Sequence, residues 1–233
     1  MNAVITGASR GIGRATAEIF AVHGFDLLLC SANENRLLET IEYFKTRYPN
    51  VSVDGRAEDL SKKEKATLFG QWVVNQAESI DVLINNAGSF VQGNVMDEKE
   101  GTLEHMIGVN LYSAYYTTRA ILPKMIANRS GHIFNICSIA SLMAYPNGGS
   151  YSVSKFALLG FSKNLRHELK TYGIKVTSVI PGAVYTDSWK GSGVSPDRIM
   201  EAEDVAKSIY QATQLSPQAV IEDIILRPQL GDL

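Results

Sequence analysis

The 233-residue sequence predicts a doubly wound α/β domain, built on a seven-stranded parallel sheet with helices on both faces. Three observations support this fold class. Apolar runs typical of strands alternate with helical patterns along the whole chain. Most of these runs are nearly continuous Val, Ile and Leu, which indicates strands that are covered on both faces of the sheet. No linker, low-complexity segment or fixed-period repeat interrupts the pattern, so we expect one domain over residues 1–233.

Seven segments have the strand pattern, and helical patterns separate them. The predicted strands are 3–6, 26–31, 51–54, 82–85, 132–137, 175–180 and 220–226. The predicted helices are 12–23, 33–48, 62–78, 100–128, 151–172 and 202–215. Helix punctuation supports several of these bounds: Asn33, Ser61 and Ser150 are predicted N-caps, and Gly24 and Gly173 follow helix ends. Pro123 is expected to bend the last turns of the fourth helix.

Composition excludes several classes of protein. Hydrophobic residues make up 45% and charged residues 20% of the chain, and the formal net charge is −2. These values fit a globular domain with a sizeable core, and they favour neither disorder nor nucleic-acid binding. No apolar run approaches the ~18 residues of a membrane span, so no membrane partner is expected.

Cysteine and histidine usage points to a cytoplasmic protein without a metal. Cys30 and Cys137 lie in apolar runs, where buried free thiols are expected, and this suits a reducing compartment. The first strand begins so near the amino terminus that it leaves no room for a signal peptide. The four histidines have no metal-ligand spacing, so no metal site is expected.

A glycine-rich loop, Thr6-Gly7-Ala8-Ser9-Arg10-Gly11-Ile12-Gly13, joins the first strand to the first helix. Glycines here permit a tight turn, allow the backbone to approach a pyrophosphate, and let the helix pack close to the strand. The start of the helix adds unpaired N–H groups that face the anion. The loop therefore predicts a dinucleotide site of the Rossmann type.

The same loop also matches G-x-S-x-G, the nucleophile elbow of α/β-hydrolases, in which Ser9 would be the nucleophile. Two observations weigh against a hydrolase. The loop follows the very first strand, before any strand that could carry an oxyanion loop, and no downstream Asp and His stand out as partners.

Arg10 and Ser31 favour NADP(H) over NAD(H). A site for NAD usually has an acidic residue about 20 residues after the glycines, which binds the ribose 2′-hydroxyl. Here the second strand ends at Ser31 without an acid. The guanidinium of Arg10 suits bidentate binding of a 2′-phosphate, so we expect NADPH to be favoured over NADH.

The stretch from Ser138 to Lys155 carries the expected chemistry. Tyr151 and Lys155 are four residues apart, which places both on one face of a helix. An ammonium group beside a phenol lowers the phenol pKa from its usual value near ~10, and this makes an acid or base for neutral pH. On the pair alone, a packed tyrosine and a solvated lysine remain the alternative interpretation.

These motifs together resemble the short-chain dehydrogenase/reductase family over residues 2–227. The loop has the family's T-G-x-x-x-G-x-G form, Asn85-Asn86-Ala87-Gly88 matches its N-N-A-G motif, and Pro181-Gly182 with Thr186 matches its P-G-x-x-x-T segment. Four residues fall where its catalytic tetrad stands: Asn110, Ser138, Tyr151 and Lys155. Within the family, the motifs are nearest to the 3-oxoacyl-carrier-protein reductase type.

The resemblance implies a reversible hydride transfer between a nicotinamide and the carbonyl or alcohol carbon of a small molecule, with the catalytic site in the C-terminal half. Tyr151 would be the general acid in reduction and the base in oxidation. Lys155 would lower the Tyr151 pKa and bind the nicotinamide ribose. Ser138 would hold the substrate oxygen, and Asn110 would support a water relay toward Lys155. Donors at the substrate oxygen suit the oxyanion charge that develops there.

The resemblance also implies a set of cofactor-binding residues. Asp59 and Leu60 would meet the adenine, Asn86 would line the cleft, and Val184 and Thr186 would flank the carboxamide. The full set is Gly7, Ser9, Arg10, Gly11, Ile12, Gly13, Asp59, Leu60, Asn86, Tyr151, Lys155, Val184 and Thr186.

The resemblance further implies a homotetramer, or a dimer, in which helices 110–128 and 151–172 pair across subunits. Tyr112, Tyr115 and Tyr116 share one helical face and are expected to serve helix packing. Trp189, in a segment rich in Gly and Pro, is a candidate for closing over the substrate.

Three functions are therefore weighed. The first is an NADP(H)-dependent oxidoreductase acting on a ketone or secondary alcohol, with 3-oxoacyl-carrier-protein reduction as a specific case. The second is a dinucleotide-binding protein without turnover. The third is a serine hydrolase that uses Ser9.

Overall fold

The computed structural model describes residues 1–186 and 193–233, so Trp189 lies outside the described residues. The strands are Asn2–Thr6 (β1), Asp26–Ser31 (β2), Val53–Ala57 (β3), Val82–Asn85 (β4), His132–Ile136 (β5), Lys175–Pro181 (β6) and Asp223–Leu226 (β7). They form one parallel sheet in the order β3-β2-β1-β4-β5-β6-β7. This confirms the predicted doubly wound fold with a seven-stranded parallel sheet.

Helices cover both faces of the sheet. They are Gly11–Val22 (α1), Glu34–Arg47 (α2), Lys63–Gln76 (α3), Thr102–Ile107 (α4), Ser113–Asn128 (α5), Gly149–Leu169 (α6) and Ala202–Thr213 (α7). Alternate residues of a strand point to opposite faces, so Ile5 packs with α1, α2 and α7, whereas Val4 packs with α3, α5 and α6. Both side chains are fully buried, which explains why neighbouring positions of the central strands are both apolar.

The helix punctuation is confirmed in part. The Asn33 side chain accepts a hydrogen bond from the Arg36 N–H at 2.9 Å, and Gly24 and Gly173 adopt left-handed backbone angles just after their helices. The N-cap predictions for Ser61 and Ser150 are wrong, because α3 begins after Lys62 and α6 begins after Gly148. In both cases the helix begins within two residues of the predicted cap, where spacing alone cannot choose the first helical residue.

The long helical segment 100–128 is not one helix. Between α4 and α5 lies a five-residue π-helical turn, Gly108–Tyr112. Pro123 lies inside α5 without ending it. Wide turns of this kind are rare and often occur at functional sites, and this one contains Asn110.

The cysteines are buried free thiols, as predicted. Within residues 1–186 and 193–233, no helix has the length and apolar character needed to cross a membrane. The same residues contain no group of three or more His, Cys, Asp or Glu side chains arranged to hold a metal ion.

Candidate active site

The candidate site lies at the carboxyl ends of the central strands. The sheet order reverses between β1 and β4, and ligands of doubly wound folds bind in the crevice at this point. The segments that follow β1, β4, β5 and β6 carry the predicted motifs, so the topology brings distant parts of the sequence to one edge.

The glycine loop has the backbone conformation that its sequence predicts. Gly7 and Gly11 have φ values of 64° and 52°, which favour glycine strongly. A Cβ atom on Gly13 would overlap the Gly7 carbonyl oxygen and the Asn86 side chain, so α1 can approach β1 only with glycine here. The first turn of α1 has no side-chain N-cap, which suits anion binding at this helix end.

Asn86 holds the glycine loop in place. Its side-chain N–H donates to the carbonyl oxygens of Thr6 and Gly7 at 3.0 and 3.1 Å. The Thr6 hydroxyl accepts hydrogen bonds from the backbone N–H groups of Asn86 and Ala87 at 3.0 and 2.9 Å. These bonds join the N-N-A-G motif to the glycine loop, so Asn86 stabilises the conformation of that loop.

The segment after β6 faces the same loop. A Cβ atom on Gly11 would lie 3.1 Å from the Thr186 methyl group, so Thr186 stands directly opposite the loop. Val184 is buried and forms an isolated bridge with Met200, which fixes the backbone just before Thr186. The contacts of Val184 and Thr186 with the carboxamide stay a prediction.

A polar cavity of about 630 Å³ lies beyond the glycine loop. Its lining residues are Ser9, Arg10, Gly11, Arg14, Arg36, Glu39, Thr40 and Tyr43. The Arg14 guanidinium lies 4.8 Å from the centre of the Tyr43 ring. Sequence reasoning found Arg10 and missed Arg14 and Arg36. Their positions in the sequence could have identified them, since each lies in the first turn or two of a helix that follows one of the first two strands.

Ser9 and Ser31 interact with each other at this edge. Their hydroxyl oxygens are 2.8 Å apart. A serine hydroxyl does not serve as the base that a nucleophilic serine needs, so this contact gives no support to the hydrolase interpretation.

Asp59 and Leu60 follow β3. The Asp59 carboxylate accepts a hydrogen bond from the Ser61 N–H at 3.1 Å, and the Leu60 side chain is buried in the core. Their contact with adenine stays a prediction, and for Leu60 it is restricted to the backbone because the side chain packs under α3.

Ser138, Tyr151 and Lys155 meet after β5. Ser138 begins a short 3₁₀ turn, in which its hydroxyl accepts from the Ala140 N–H at 3.2 Å. The same side chain is hydrogen-bonded to the Tyr151 hydroxyl. The Lys155 ammonium donates to the Ile136 carbonyl oxygen at 2.8 Å and lies 5.8 Å from the centre of the Tyr151 ring.

Burial shifts both titratable groups toward their neutral forms. It raises the pKa of Tyr151, and the hydrogen bond from Ser138 opposes that rise. It lowers the pKa of Lys155 to about 8. The prediction that Lys155 lowers the Tyr151 pKa is therefore wrong in this structure. The reason is that burial of the phenol is the largest influence on its pKa, while the Lys155 ammonium donates to the Ile136 carbonyl oxygen.

Asn110 is fully buried in the π-helical turn beside Lys155. Its side-chain oxygen accepts from the Ser89 N–H at 2.8 Å, and its side-chain N–H donates to the Ser154 hydroxyl at 2.8 Å. A Cβ atom on Gly88 would lie 3.1 Å from the Asn110 oxygen and 3.7 Å from the Lys155 nitrogen. The glycine thus leaves open the space that both side chains border.

Phe90 is a further residue that sequence reasoning missed. Its ring meets the Tyr151 ring edge to face, with centroids 4.8 Å apart. The side chain is 44% exposed, so the contact leaves an apolar surface beside the phenol. Its position two residues after the N-N-A-G motif is the signal that could have found it.

Comparisons with known proteins agree with this geometry. Residues 1–195 match the short chain dehydrogenase family. The chain is 33% identical to a sepiapterin reductase of Chlorobaculum tepidum, over 99% of this chain and 97% of that protein. It is 31% identical to an uncharacterized oxidoreductase of Staphylococcus saprophyticus, over 97% of this chain and 96% of that one.

Solved structures have the same fold over nearly the whole chain. An alcohol dehydrogenase from the archaeon Thermococcus sibiricus, complexed with 5-hydroxy-NADP, has a TM-score of 0.90 and 27% identity, covering 99% of this chain and 97% of that one. A metagenomic short-chain oxidoreductase in complex with NADP has a TM-score of 0.84 and 29% identity, covering 98% and 97%.

Proposed function

The chain belongs to the short-chain dehydrogenase family of oxidoreductases, and we propose that it interconverts a ketone and a secondary alcohol with NADP(H). The observation that carries this proposal is the meeting of Ser138, Tyr151 and Lys155 at the sheet edge that also holds the glycine loop. A protein that only bound a dinucleotide would have no need of a buried lysine beside a hydrogen-bonded phenol.

The cleft fits NADP(H). The glycine loop and the start of α1 suit the pyrophosphate, and the arginine-lined cavity of about 630 Å³ lies where α1 and α2 begin. Arg10, Arg14 and Arg36 offer several guanidinium donors to a 2′-phosphate, whereas β2 ends at Ser31 without an acid that would select a free 2′-hydroxyl. The two similar solved structures, which hold NADP or 5-hydroxy-NADP, support the same choice.

In the proposed reduction, the hydride for the carbonyl carbon would come from NADPH bound at the glycine loop. The hydroxyl groups of Ser138 and Tyr151 hold the carbonyl oxygen and stabilise the negative charge that develops on it. Tyr151 then gives its proton to that oxygen. The raised pKa of Tyr151 keeps the phenol protonated, which is the form that donates a proton.

The other two residues support the proton donor. Lys155 would hold the nicotinamide ribose, and Asn110 would support a water relay through which Tyr151 regains a proton. The open space at Gly88, which Asn110 and Lys155 border, supports this assignment. Oxidation of the alcohol runs the same steps in reverse, with the phenolate of Tyr151 as the base.

A cofactor-oxidation assay with a Tyr151→Phe variant tests the proposal. We expect the wild type to oxidise NADPH faster than NADH with at least one member of a carbonyl panel. The variant should lose about 100-fold or more of its kcat, since positioned acids contribute ~10²–10⁴-fold, while its Kd for NADPH stays unchanged. Turnover that survives in the variant would contradict the role of Tyr151.

The panel also separates the remaining alternatives. It contains simple ketones, a 3-oxoacyl thioester and a pteridine with a ketone side chain, because a sepiapterin reductase is 33% identical to this chain. Preference for the thioester would support 3-oxoacyl-carrier-protein reduction. NADPH binding without turnover of any compound would support a dinucleotide-binding protein, and covalent labelling of Ser9 by a serine-directed phosphonate would support a hydrolase.

We also propose a homo-oligomer, a dimer or tetramer, formed through α5 and α6. Val153 and Phe156 on α6 are 47% and 46% exposed, and Tyr112 just before α5 is 44% exposed. Tyr115 and Tyr116 instead contact each other, and Tyr115 also contacts Phe161 of α6. Tyr115 and Tyr116 thus serve helix packing within the subunit. The exposed side chains of Tyr112, Val153 and Phe156 favour a second copy of the chain as partner.

A further inference from the structure

The segment between the N-N-A-G motif and α4 contacts the residues at the start of α6. The Gly93 N–H donates to the Asn147 carbonyl oxygen at 3.1 Å, and the Asn147 N–H donates to the Asn94 side-chain oxygen at 3.2 Å. Asn147 has a left-handed φ of 58°, a conformation that costs energy in residues other than glycine. These bonds hold the chain in that conformation four residues before Tyr151.

Glu98, in the same segment, forms hydrogen bonds with Ser150 in the first turn of α6. One carboxylate oxygen accepts a hydrogen bond from the Ser150 N–H at 2.8 Å, and the other accepts from the Ser150 hydroxyl. The Glu98 N–H donates to the Asn94 carbonyl oxygen at 3.0 Å, which fixes the acidic residue within its own segment.

Glu98 supplies the side-chain hydrogen-bond acceptor that the N-cap residue of α6 lacks. Gly148 stands at the N-cap position of α6 and has no side chain to accept from the first turn. A carboxylate is favoured at a helix amino terminus, where it meets unpaired N–H groups and the positive end of the helix dipole. Here the carboxylate comes from a residue 52 positions earlier in the chain.

The hydrogen bonds of Glu98 reach the residue next to Tyr151, the proposed proton donor. Tyr151 follows Ser150 directly and lies in the first turn of α6. The same segment also touches Tyr151 through the Phe90 ring. The segment after β4 is therefore tied to Ser150, the residue just before Tyr151, and to the ring of Tyr151.

We propose that Glu98 is a positioning residue, which acts through Ser150 to hold the Tyr151 hydroxyl at the distance that proton transfer needs. This role rests on the proposed oxidoreductase function. Displacement of a reacting group by about 1 Å can cost ~10²-fold in rate, so the anchor affects kcat more than the binding of substrate.

The test uses Glu98→Ala, Glu98→Gln, Ser150→Ala and the double variant Glu98→Ala/Ser150→Ala, with Glu100→Ala as the matched control on an exposed glutamate nearby. We expect Glu98→Ala to lower kcat at least about tenfold, with KM and the Kd for NADPH changed little. Glu98→Gln should recover part of the loss, because its amide oxygen can still accept from the Ser150 N–H. The double variant should lose no more than Glu98→Ala alone, since both changes remove the same contact.

A second measurement follows Tyr151 without turnover. The protein is labelled with 3-fluorotyrosine, and the ¹⁹F resonance of Tyr151 is assigned by its loss in Tyr151→Phe. That resonance should move or broaden in Glu98→Ala and stay in place in Glu100→Ala. An unmoved resonance in Glu98→Ala overturns the inference, and so does an unchanged kcat in a variant whose resonance has moved. A wild type without turnover overturns the proposed function, and the ¹⁹F result still decides whether Glu98 holds Tyr151.

Discussion

Tyr151 and Lys155 are both shifted toward their neutral forms because each has been removed from water. For Tyr151 this favours the protonated phenol, the form that donates a proton in carbonyl reduction. For Lys155, which is 6% exposed, a pKa of about 8 means that its charge is sensitive to whatever binds beside it. Burial in the fold thus lowers the pKa of Lys155, which the sequence alone presents as an ordinary cation.

Arg36 is expected to contribute to cofactor choice together with Arg10. Replacing either by Ala should weaken NADPH binding about tenfold or more, because a charge-assisted bond to a 2′-phosphate contributes ~1.5–3 kcal/mol. NADH lacks that phosphate, so its Kd should change little. Fluorescence titration with both cofactors measures the difference. Arg47→Ala, at the far end of α2, is the control, and equal losses for NADPH and NADH would contradict the assignment.

His132 is expected to make the protein sensitive to acid. Its Nε2 lies 2.7 Å from the Thr177 hydroxyl oxygen, and burial lowers its pKa to about 3. The unfolded chain has a His pKa near ~6.5, so between these values the unfolded state binds a proton that the native state does not. Stability is therefore lost as the pH falls below about 6.5, by ~1.4 kcal/mol per pH unit.

Urea unfolding of the wild type and His132→Gln at pH 7 and pH 5 measures this effect. The free energy of unfolding should fall between the two pH values by about 2 kcal/mol more in the wild type than in the variant. His105→Gln, at an exposed position, is the control and should keep the wild-type pH dependence. The same fall in both His132→Gln and the wild type would show that His132 is not the group responsible.

At the scale of elements, the site depends on the close packing of α1 against β1 and on the π-helical turn between α4 and α5. The start of α1 packs against β1 and against the N-N-A-G segment after β4, and Gly13 makes this packing possible. The π-helical turn between α4 and α5 places the Asn110 side chain against Ser89 and Ser154. Both features set backbone distances that a substitution can test.

Gly13→Ala should damage the cofactor site. The added methyl group meets backbone at Gly7 and the Asn86 side chain, so α1 has to move away from β1. We expect at least a tenfold loss of NADPH affinity and a lower Tm. Gly160→Ala is the control, because a Cβ there meets nothing within 4 Å in α6, and it should bind NADPH normally with equal or greater stability. Unchanged NADPH binding in Gly13→Ala would refute the packing argument.

At the scale of the whole molecule, the sheet order decides which residues meet. Parallel strands in the order β3-β2-β1-β4-β5-β6-β7 place the ends of β1, β4, β5 and β6 side by side. Motifs that are more than a hundred residues apart in the sequence thus form one cleft. The helices on one side, α5 and α6, leave the apolar face through which we propose that subunits associate.

Phe156→Asp tests that association. A buried charge in an intersubunit contact is costly, so the variant should dissociate to a smaller species than the wild type. Light scattering coupled to size exclusion measures the mass of each. Leu38→Asp changes a comparably exposed leucine on α2 and should leave the mass unchanged. A wild type that is already monomeric would contradict the proposed homo-oligomer.

The sequence by itself determined the fold class and the family, and it predicted the central site residues. The fold class could be predicted because the apolar composition of the strands and the alternation of strands with helices are visible as local sequence patterns. The glycine loop and the Tyr151–Lys155 spacing carry the site, because both depend on residues that are close in the chain.

Only the tertiary structure decided which distant groups lie together at the proposed site. Arg14 and Arg36 join Arg10 because α1 and α2 begin beside each other, and Glu98 reaches Ser150 because the segment after β4 crosses the start of α6. The direction of the Tyr151 pKa shift was predicted wrongly because burial is a property of the packed chain. Contacts across 50 or more residues and the loss of water both arise from packing, which local spacing does not encode.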